Sequence, residues 1–254
     1  MDSTEPLHVA RAVAKLGLRY VVLTMVTRDD LDDGGARHVA DTVTALRDQA
    51  SSVLVETLVG DFGSDLRAID TVLEARPDVF AHNVEVPRRL TPTIRDRRFG
   101  YDESLEVLSR ARELGLSRFV KSGFMVGLGE DDGEVLETLS DLRRAGAQIV
   151  TIGQYLRPSA RHAVVRRYVE PEQFSEYARV GRELGFSFVA SGPLVRSSYH
   201  AAEGFVSARL RPGSEHAQAL QPTDPDDGDG GAVPVAPAHG PTLIDPSELV
   251  RSRR

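Results

Sequence analysis

The feature that most constrains this chain is an alternation: six short apolar runs recur along most of its length, separated by stretches with helical periodicity. The runs are RYVVLT (19–24), SVLVETLV (52–59), DVFAHNVEV (78–86), RFVKSGFMVGL (118–128), QIVTIGQYL (148–156) and FSFVASGPLV (186–195). Between and around them, LHVARAVAKLG, ARHVADTVTALRDQA, SDLRAIDTVLEAR, YDESLEVLSRARELG, GEVLETLSDLRRAG and PEQFSEYARVGRELG place apolar residues at i, i+3, i+4 and i+7. Strands joined by helices of this length need crossover connections, which predicts a parallel sheet built of right-handed βαβ units. Six such units predict an α/β fold, a partial (β/α) TIM-like barrel, with a doubly wound open sheet as the alternative.

With 254 residues, 41% of them hydrophobic, the chain can bury one substantial core. Composition changes after Arg211: the last 43 residues hold seven of the 14 prolines and stretches such as DPDDGDGG and APAHGP. The expected organisation is therefore a barrel over 1–211 and a disordered Pro/Gly/Asp-rich tail over 212–254, where too little apolar surface is available to offset the ordering entropy. The net charge of −7 includes −4 from that tail, from seven acids and three arginines. A mildly acidic body without a basic stripe argues against nucleic acid as a partner. No run reaches the roughly 18 apolar residues of a membrane span, and MDSTEPLHVARAV lacks the basic and apolar regions of a secretion signal, so a cytoplasmic protein is expected.

In a (β/α) barrel, functional groups collect at the carboxyl ends of the strands. There the sequence places Thr24, Met25, Thr27, Arg28 and Asp29; then Glu56 and Asp61; then His82, Asn83 and Glu85; then Lys121 and Ser122; then Gln154 and Tyr155; and last the cluster Arg196-Ser197-Ser198-Tyr199. Several of these have plain structural readings. Arg28-Asp29-Asp30 equally reads as a loop ion pair with a helix N-cap, His82 as a core histidine with its hydrogen bonds satisfied, and the two serines as side chains bonding to backbone at a turn. Lys121 is one of two lysines against 29 arginines and sits inside an apolar strand, so its ammonium needs a partner. In GFMVGLGE, Gly123, Gly127 and Gly129 precede Glu130 and a helix; such a run lets backbone approach a flat ligand and exposes amides, though it also fits an ordinary strand-to-helix turn.

Taken together, six ordered blocks resemble one family. TMVTRDDLDDGGARH, VETLVGDF, AHNVEVPRRL, KSGFMVGLGE, TIGQYLRPSARH and GPLVRSSYHA are similar, in order and spacing, to the corresponding blocks of lipoyl synthase, a radical S-adenosylmethionine (SAM) enzyme family. The likeness runs from about Glu5 to Ala201. It implies a radical SAM barrel holding two [4Fe-4S] clusters and SAM. One cluster cleaves SAM to a 5'-deoxyadenosyl radical, and the other donates sulfur to C6 and C8 of an octanoyl group. That group is carried by a lipoyl domain of the glycine cleavage H protein or of a 2-oxoacid dehydrogenase E2.

By motif, the resemblance implies that Gly123, Met125, Gly127 and Glu130 lie beside the adenine, with Lys121 in the same block, that Asn83 and Glu85 lie at the ribose, and that Thr24, Arg28 and Asp29 lie near the methionine end. It also implies that Ser198 ligates the sulfur-donating cluster, with Arg196 helping to position and release it. Family members place a C-x4-C-x5-C and a C-x3-C-x2-C motif ahead of the matching region, whereas this sequence contains no cysteine. The expectation is a sequence lacking the first barrel strand and both cysteine motifs, and inactive alone. Met25, Thr27 and Val86 also stand where the family has Ser, Asp and Thr. The alternatives are a non-catalytic pseudoenzyme or subunit that binds the lipoyl carrier or a separate Cys-bearing chain, and a cluster-free barrel enzyme. The latter would use Lys121 as a Schiff-base amine with Glu85 or His82 as proton shuttle.

Overall fold

A computed structural model describes residues 1–197 and 202–210 of the chain. The expected tail and Ser198 lie outside the described residues. Six strands, β1 (Tyr20–Thr24), β2 (Leu54–Leu58), β3 (Val79–Ala81), β4 (Phe119–Val126), β5 (Ile149–Gln154) and β6 (Phe188–Gly192), form one sheet in the order β1-β2-β3-β4-β5-β6. All five pairings are parallel. An order that follows the chain is that of a singly wound barrel, not of a doubly wound sheet, whose order reverses at a switch point.

Helices α1 (Glu5–Leu16), α2 (Ala36–Gln49), α3 (Leu66–Glu74), α4 (Thr91–Ile94), α5 (Tyr101–Leu114), α6 (Asp132–Arg144) and α7 (Pro171–Glu183) accompany the strands, and α8 (Glu203–Leu210) follows β6. Their ends follow the local chemistry. Pro6 sits in the first turn of α1, and Gly17 ends that helix in the left-handed region at φ 63°, where a side chain would be strained. Asp131 and Glu134 cap α6 reciprocally, each side chain accepting the other's backbone N–H at 2.9 Å.

Alternate residues on each strand face opposite sides, and the clusters they join show how far the sheet curls. Val53 and Val55 pack outward with Ala10, Val13, Val43 and Leu46 of α1 and α2. On the other face Tyr20, Leu54, Val79, Phe119, Ile149 and Phe188, one from each strand, gather in a single cluster with Phe205 and Val206 of α8. Side chains of strands that are not neighbours also meet on this face, Lys121 of β4 with Glu56 of β2 at 2.6 Å, as in a curved barrel-like wall, and α8 covers its lower end. The ring of Phe205 stacks on Phe188 at 5.2 Å and meets Phe119 edge-on at 5.5 Å, contacts worth roughly 0.5–1.5 kcal/mol each beyond area burial.

The third strand is shorter than its apolar run. It stops at Ala81, and Glu85 adopts a left-handed conformation at φ 67°, after which the Val86 N–H turns back to the Val84 carbonyl at 2.8 Å. Only a single bridge, Glu85 to Phe124, resumes the pairing. For a glutamate this conformation costs about 1 kcal/mol or more, and it turns the chain at a point where the Glu85 N–H and carbonyl still pair with Gly123 and Met125 of β4.

Candidate functional site

The interior of the barrel is polar one layer above the α8 plug. Lys121, third residue of β4, is 1% exposed, and its ammonium donates to Glu56 Oε1 at 2.6 Å and to the Ser197 carbonyl at 2.5 Å. Glu56, on β2 and equally buried, accepts the Tyr20 hydroxyl on its other oxygen at 2.5 Å. Burial and the adjoining carboxylate raise the pKa of the Tyr20 phenol, so it stays a donor. The partner that Lys121 needed is thus a glutamate two strands away, and the lysine Nζ is held beneath the barrel mouth, behind the Ser197 backbone.

Above this layer lies a cleft of about 310 Å³ over the carboxyl ends of β3 to β6, lined by Asn83, Glu85, Gly123, Met125, Gln154, Tyr155, Leu156, Arg196 and Ser197. Eight of the residues singled out in the sequence, Asn83, Glu85, Gly123, Met125, Gln154, Tyr155, Arg196 and Ser197, therefore meet in one place. Asn83 donates through Nδ2 to Ser197 Oγ at 3.1 Å, while its Oδ1 is buried without a partner. Burial pushes the Glu85 carboxyl above its usual range, opposed by a hydrogen bond from Asn83 and the charge of Arg95.

The glycines of this cleft make room for the protein's own atoms. A Cβ on Gly123 would lie 2.3 Å from Thr151 Oγ1, and one on Gly153 would lie 2.4 Å from the Val195 carbonyl. Nor are the Gly127 and Leu128 amides free for a ligand. Glu130, 6% exposed, accepts the N–H of Gly127 at 2.6 Å and of Leu128 at 2.9 Å. Gly127, at φ 99°, packs against Gln154 and the Arg167 carbonyl. These two residues shape the loop beside the cleft and do not line it.

The remaining residues lie elsewhere. Arg28 and Asp29 line a second cleft of about 200 Å³ with Thr27, Asp61 and Phe62, between the ends of β1 and β2. Arg28 holds Asp30 bidentately at 2.7 and 2.6 Å, Asp29 pairs with Arg98, and the helix start is capped by Asp33, which accepts the N–H of Gly35 and Arg37. Thr24 lies in a groove of about 330 Å³ along β1, between α1 and α2. His82 is a core residue: its Nδ1 lies 2.9 Å from the Val59 carbonyl, its Nε2 has no partner, and burial lowers its pKa. Sequence reasoning missed Tyr20 and Ser197 as partners of the polar layer, since both contacts join residues far apart in the chain.

The donor set discriminates between the two kinds of cofactor expected. An unpaired amide oxygen, a half-buried carboxyl, a guanidinium at the rim and the apolar Met125 and Leu156 fit a nucleoside-bearing sulfonium such as SAM. Iron–sulfur clusters do not fit: there is no cysteine, and among the described residues no three His, Asp or Glu side chains gather to hold a metal.

Residues 1–142 match the radical SAM superfamily. The chain is 50% identical to the lipoyl synthase of Sorangium cellulosum over 98% of its own length and 76% of that protein. It is 53% identical to that of Thermus thermophilus over 83% of its length and 65% of that protein. It is 49% identical to the mitochondrial lipoyl synthase of Eremothecium gossypii over 83% of its length but only 57% of that protein. Among solved structures, the [FeFe]-hydrogenase maturase HydG superposes with a TM-score of 0.56 at 15% identity, covering 80% of this chain and 52% of that one. Methylornithine synthase superposes with a TM-score of 0.53 at 14% identity, covering 88% and 74%. At such identities these two speak for the fold alone.

Proposed function

Because this chain belongs to the lipoyl synthase family within the radical SAM superfamily, we propose that its cleft binds SAM in the service of sulfur insertion at C6 and C8 of a carrier-bound octanoyl group. The observation that carries the proposal is the convergence of Asn83, Glu85, Gly123, Met125 and Arg196 on one cleft at the strand carboxyl ends. SAM supplies, when bound and cleaved, the agent that removes hydrogen from the acyl chain. In this reading Asn83 Oδ1 and the Glu85 carboxyl accept hydroxyl hydrogens of the nucleoside, and the apolar surface of Met125 and Leu156 covers its base. Arg196 at the rim faces carboxylate or other anionic groups.

The thiolates that hold both clusters come from outside these 254 residues, on a segment or partner that bears cysteine, and residues 1–254 alone do not turn over. No helix among the described residues is long and apolar enough to cross a membrane. The Schiff-base reading of Lys121 has no observation in its favour, since the amine is fixed between Glu56 and the Ser197 carbonyl and is 1% exposed.

Equilibrium binding of S-adenosylhomocysteine tests the proposal without iron. Micromolar binding that weakens tenfold or more in N83A and E85A is the expected result. No binding at high micromolar concentration overturns it. A second titration, with an octanoylated lipoyl domain, should show association independent of iron and of SAM.

A further inference from the structure

Lys121 is not among the residues that line the cleft, yet its ammonium, 1% exposed, makes two close hydrogen bonds in the barrel interior. What it holds is informative. One of its hydrogen bonds goes to a side chain, Glu56, and the other to a backbone carbonyl, that of Ser197, 76 residues further along the chain. The same residue is gripped a second time from the barrel wall, where Asn83 donates to its hydroxyl. A third contact lies just before it: the Val195 carbonyl packs so closely over Gly153 that a Cβ there would meet it at 2.4 Å.

Among the described residues, one further backbone tie holds the segment 195–197, the Val195 N–H to the Gly192 carbonyl at 3.2 Å. The segment follows β6 as irregular backbone, Leu194 is 83% exposed, and among the described residues Arg196 donates to the carbonyl of its own neighbour, Val195, at 2.8 Å. A charged donor to a carbonyl in a dry interior is a strong tie. The ammonium is in turn fixed from below, because Glu56 is itself fixed by Tyr20.

We propose that Lys121 is a positioning residue, holding the Ser197 carbonyl so that Arg196 and Ser197 cross the barrel mouth at one fixed height. Tyr20 and Glu56 are the footing of this post. The wall of the cleft nearest β6 is then set by a chain of contacts that starts on β1 and β2, on the far side of the barrel. This inference rests on the reading of the cleft as a SAM site for its functional meaning, but the test below reads the segment directly.

The measurement is hydrogen exchange of the intact chain, without iron or SAM, comparing a peptide covering 193–197 with one from β5 (149–154). In K121M/E56Q, which removes both charges together, exchange in 193–197 should rise tenfold or more while β5 changes less than twofold. S197A, which keeps the carbonyl tie and loses only the hydroxyl contact, should change 193–197 by less than threefold. Unchanged exchange of 193–197 in a folded K121M/E56Q protein overturns the proposal. If that protein does not fold, E56Q alone decides: it leaves the ammonium but loosens its footing, and severalfold faster exchange in 193–197 supports the proposal, whereas unchanged exchange overturns it. Failure of S-adenosylhomocysteine to bind the unaltered chain would instead remove the functional reading and leave the exchange result standing.

Discussion

Glu130 closes back on the loop that precedes it, its Oε1 taking the Gly127 N–H at 2.6 Å while its Oε2 takes that of Leu128 at 2.9 Å. A glycine-rich turn that reads as a cradle for a ligand is thereby occupied by its own carboxylate. The amides are spent on holding the turn, and the cleft beside it is shaped rather than contacted by them.

Removing that carboxylate should be costly. E130A strands two buried amides, and hydrogen bonds to a charged group are worth about 1.5–3 kcal/mol each. We expect E130A to lower the unfolding free energy by about 2–4 kcal/mol in urea. A loss below about 0.5 kcal/mol would show that solvent replaces the carboxylate readily.

Acid stability should depend on His82. Burial holds its imidazole below the usual 6.5, so the folded protein keeps it neutral while the unfolded chain takes up a proton as pH falls through 6.5. The stability it contributes is present above that pH and is lost on acidification. H82N, whose amide can still donate to the Val59 carbonyl, should flatten the stability profile between about pH 7 and about pH 5. An unchanged slope would assign the acid sensitivity to other groups.

Glu85 should act in the opposite direction. Its carboxyl is raised from 4.5 by burial, so its contribution is full below 4.5 and is lost as pH rises through the folded value. E85Q should therefore gain stability over the parent protein at neutral pH while losing affinity for S-adenosylhomocysteine. Thermal unfolding at acid and neutral pH, with ligand titration at the latter, checks both halves.

Gly153 offers a steric test of the cleft wall. The added methyl of G153A would meet the Val195 carbonyl at 2.4 Å, a backbone atom that cannot rotate away. We expect the strand to persist and the 195–197 segment to shift, with S-adenosylhomocysteine affinity falling tenfold or more, about 1.4 kcal/mol. Parent-like affinity would place the ligand away from this wall.

Iron chemistry supplies a stoichiometric check. Anaerobic incubation of the purified chain with iron and sulfide should leave well under one cluster per chain after desalting, since no thiolate is present. Addition of a cysteine-bearing partner segment should raise iron and acid-labile sulfide together.

Much of this architecture was legible in the sequence because the alternation of apolar runs and amphipathic stretches is a local signal. All six strands lie within their runs, and the polar residues after them do gather at the strand carboxyl ends. What was hidden is long-range or conformational. The need of Lys121 for a partner followed from its apolar surroundings, but nothing local named Glu56, 65 residues away, or Tyr20 behind it. The early end of β3 and the left-handed turn at Glu85 leave no mark in an apolar run, and α8 is a helix of eight residues whose worth comes from Phe205 and Val206 sealing the barrel floor. The division of the candidate residues between two clefts and a groove likewise depends on where loops fold, which motif blocks alone do not specify.

The strand order, in which every pairing joins neighbours along the chain, has a consequence for assembly. A sheet of this kind can be laid down progressively during synthesis, each βα unit docking on the one before it without waiting for distant sequence. The polar bracket across the lumen and the α8 floor are the exceptions, since both tie the earliest strands to the stretch that follows the last one. Scaffold and pocket are thus separated in time: the wall can stand early, but the mouth takes its shape only when the final crossing arrives.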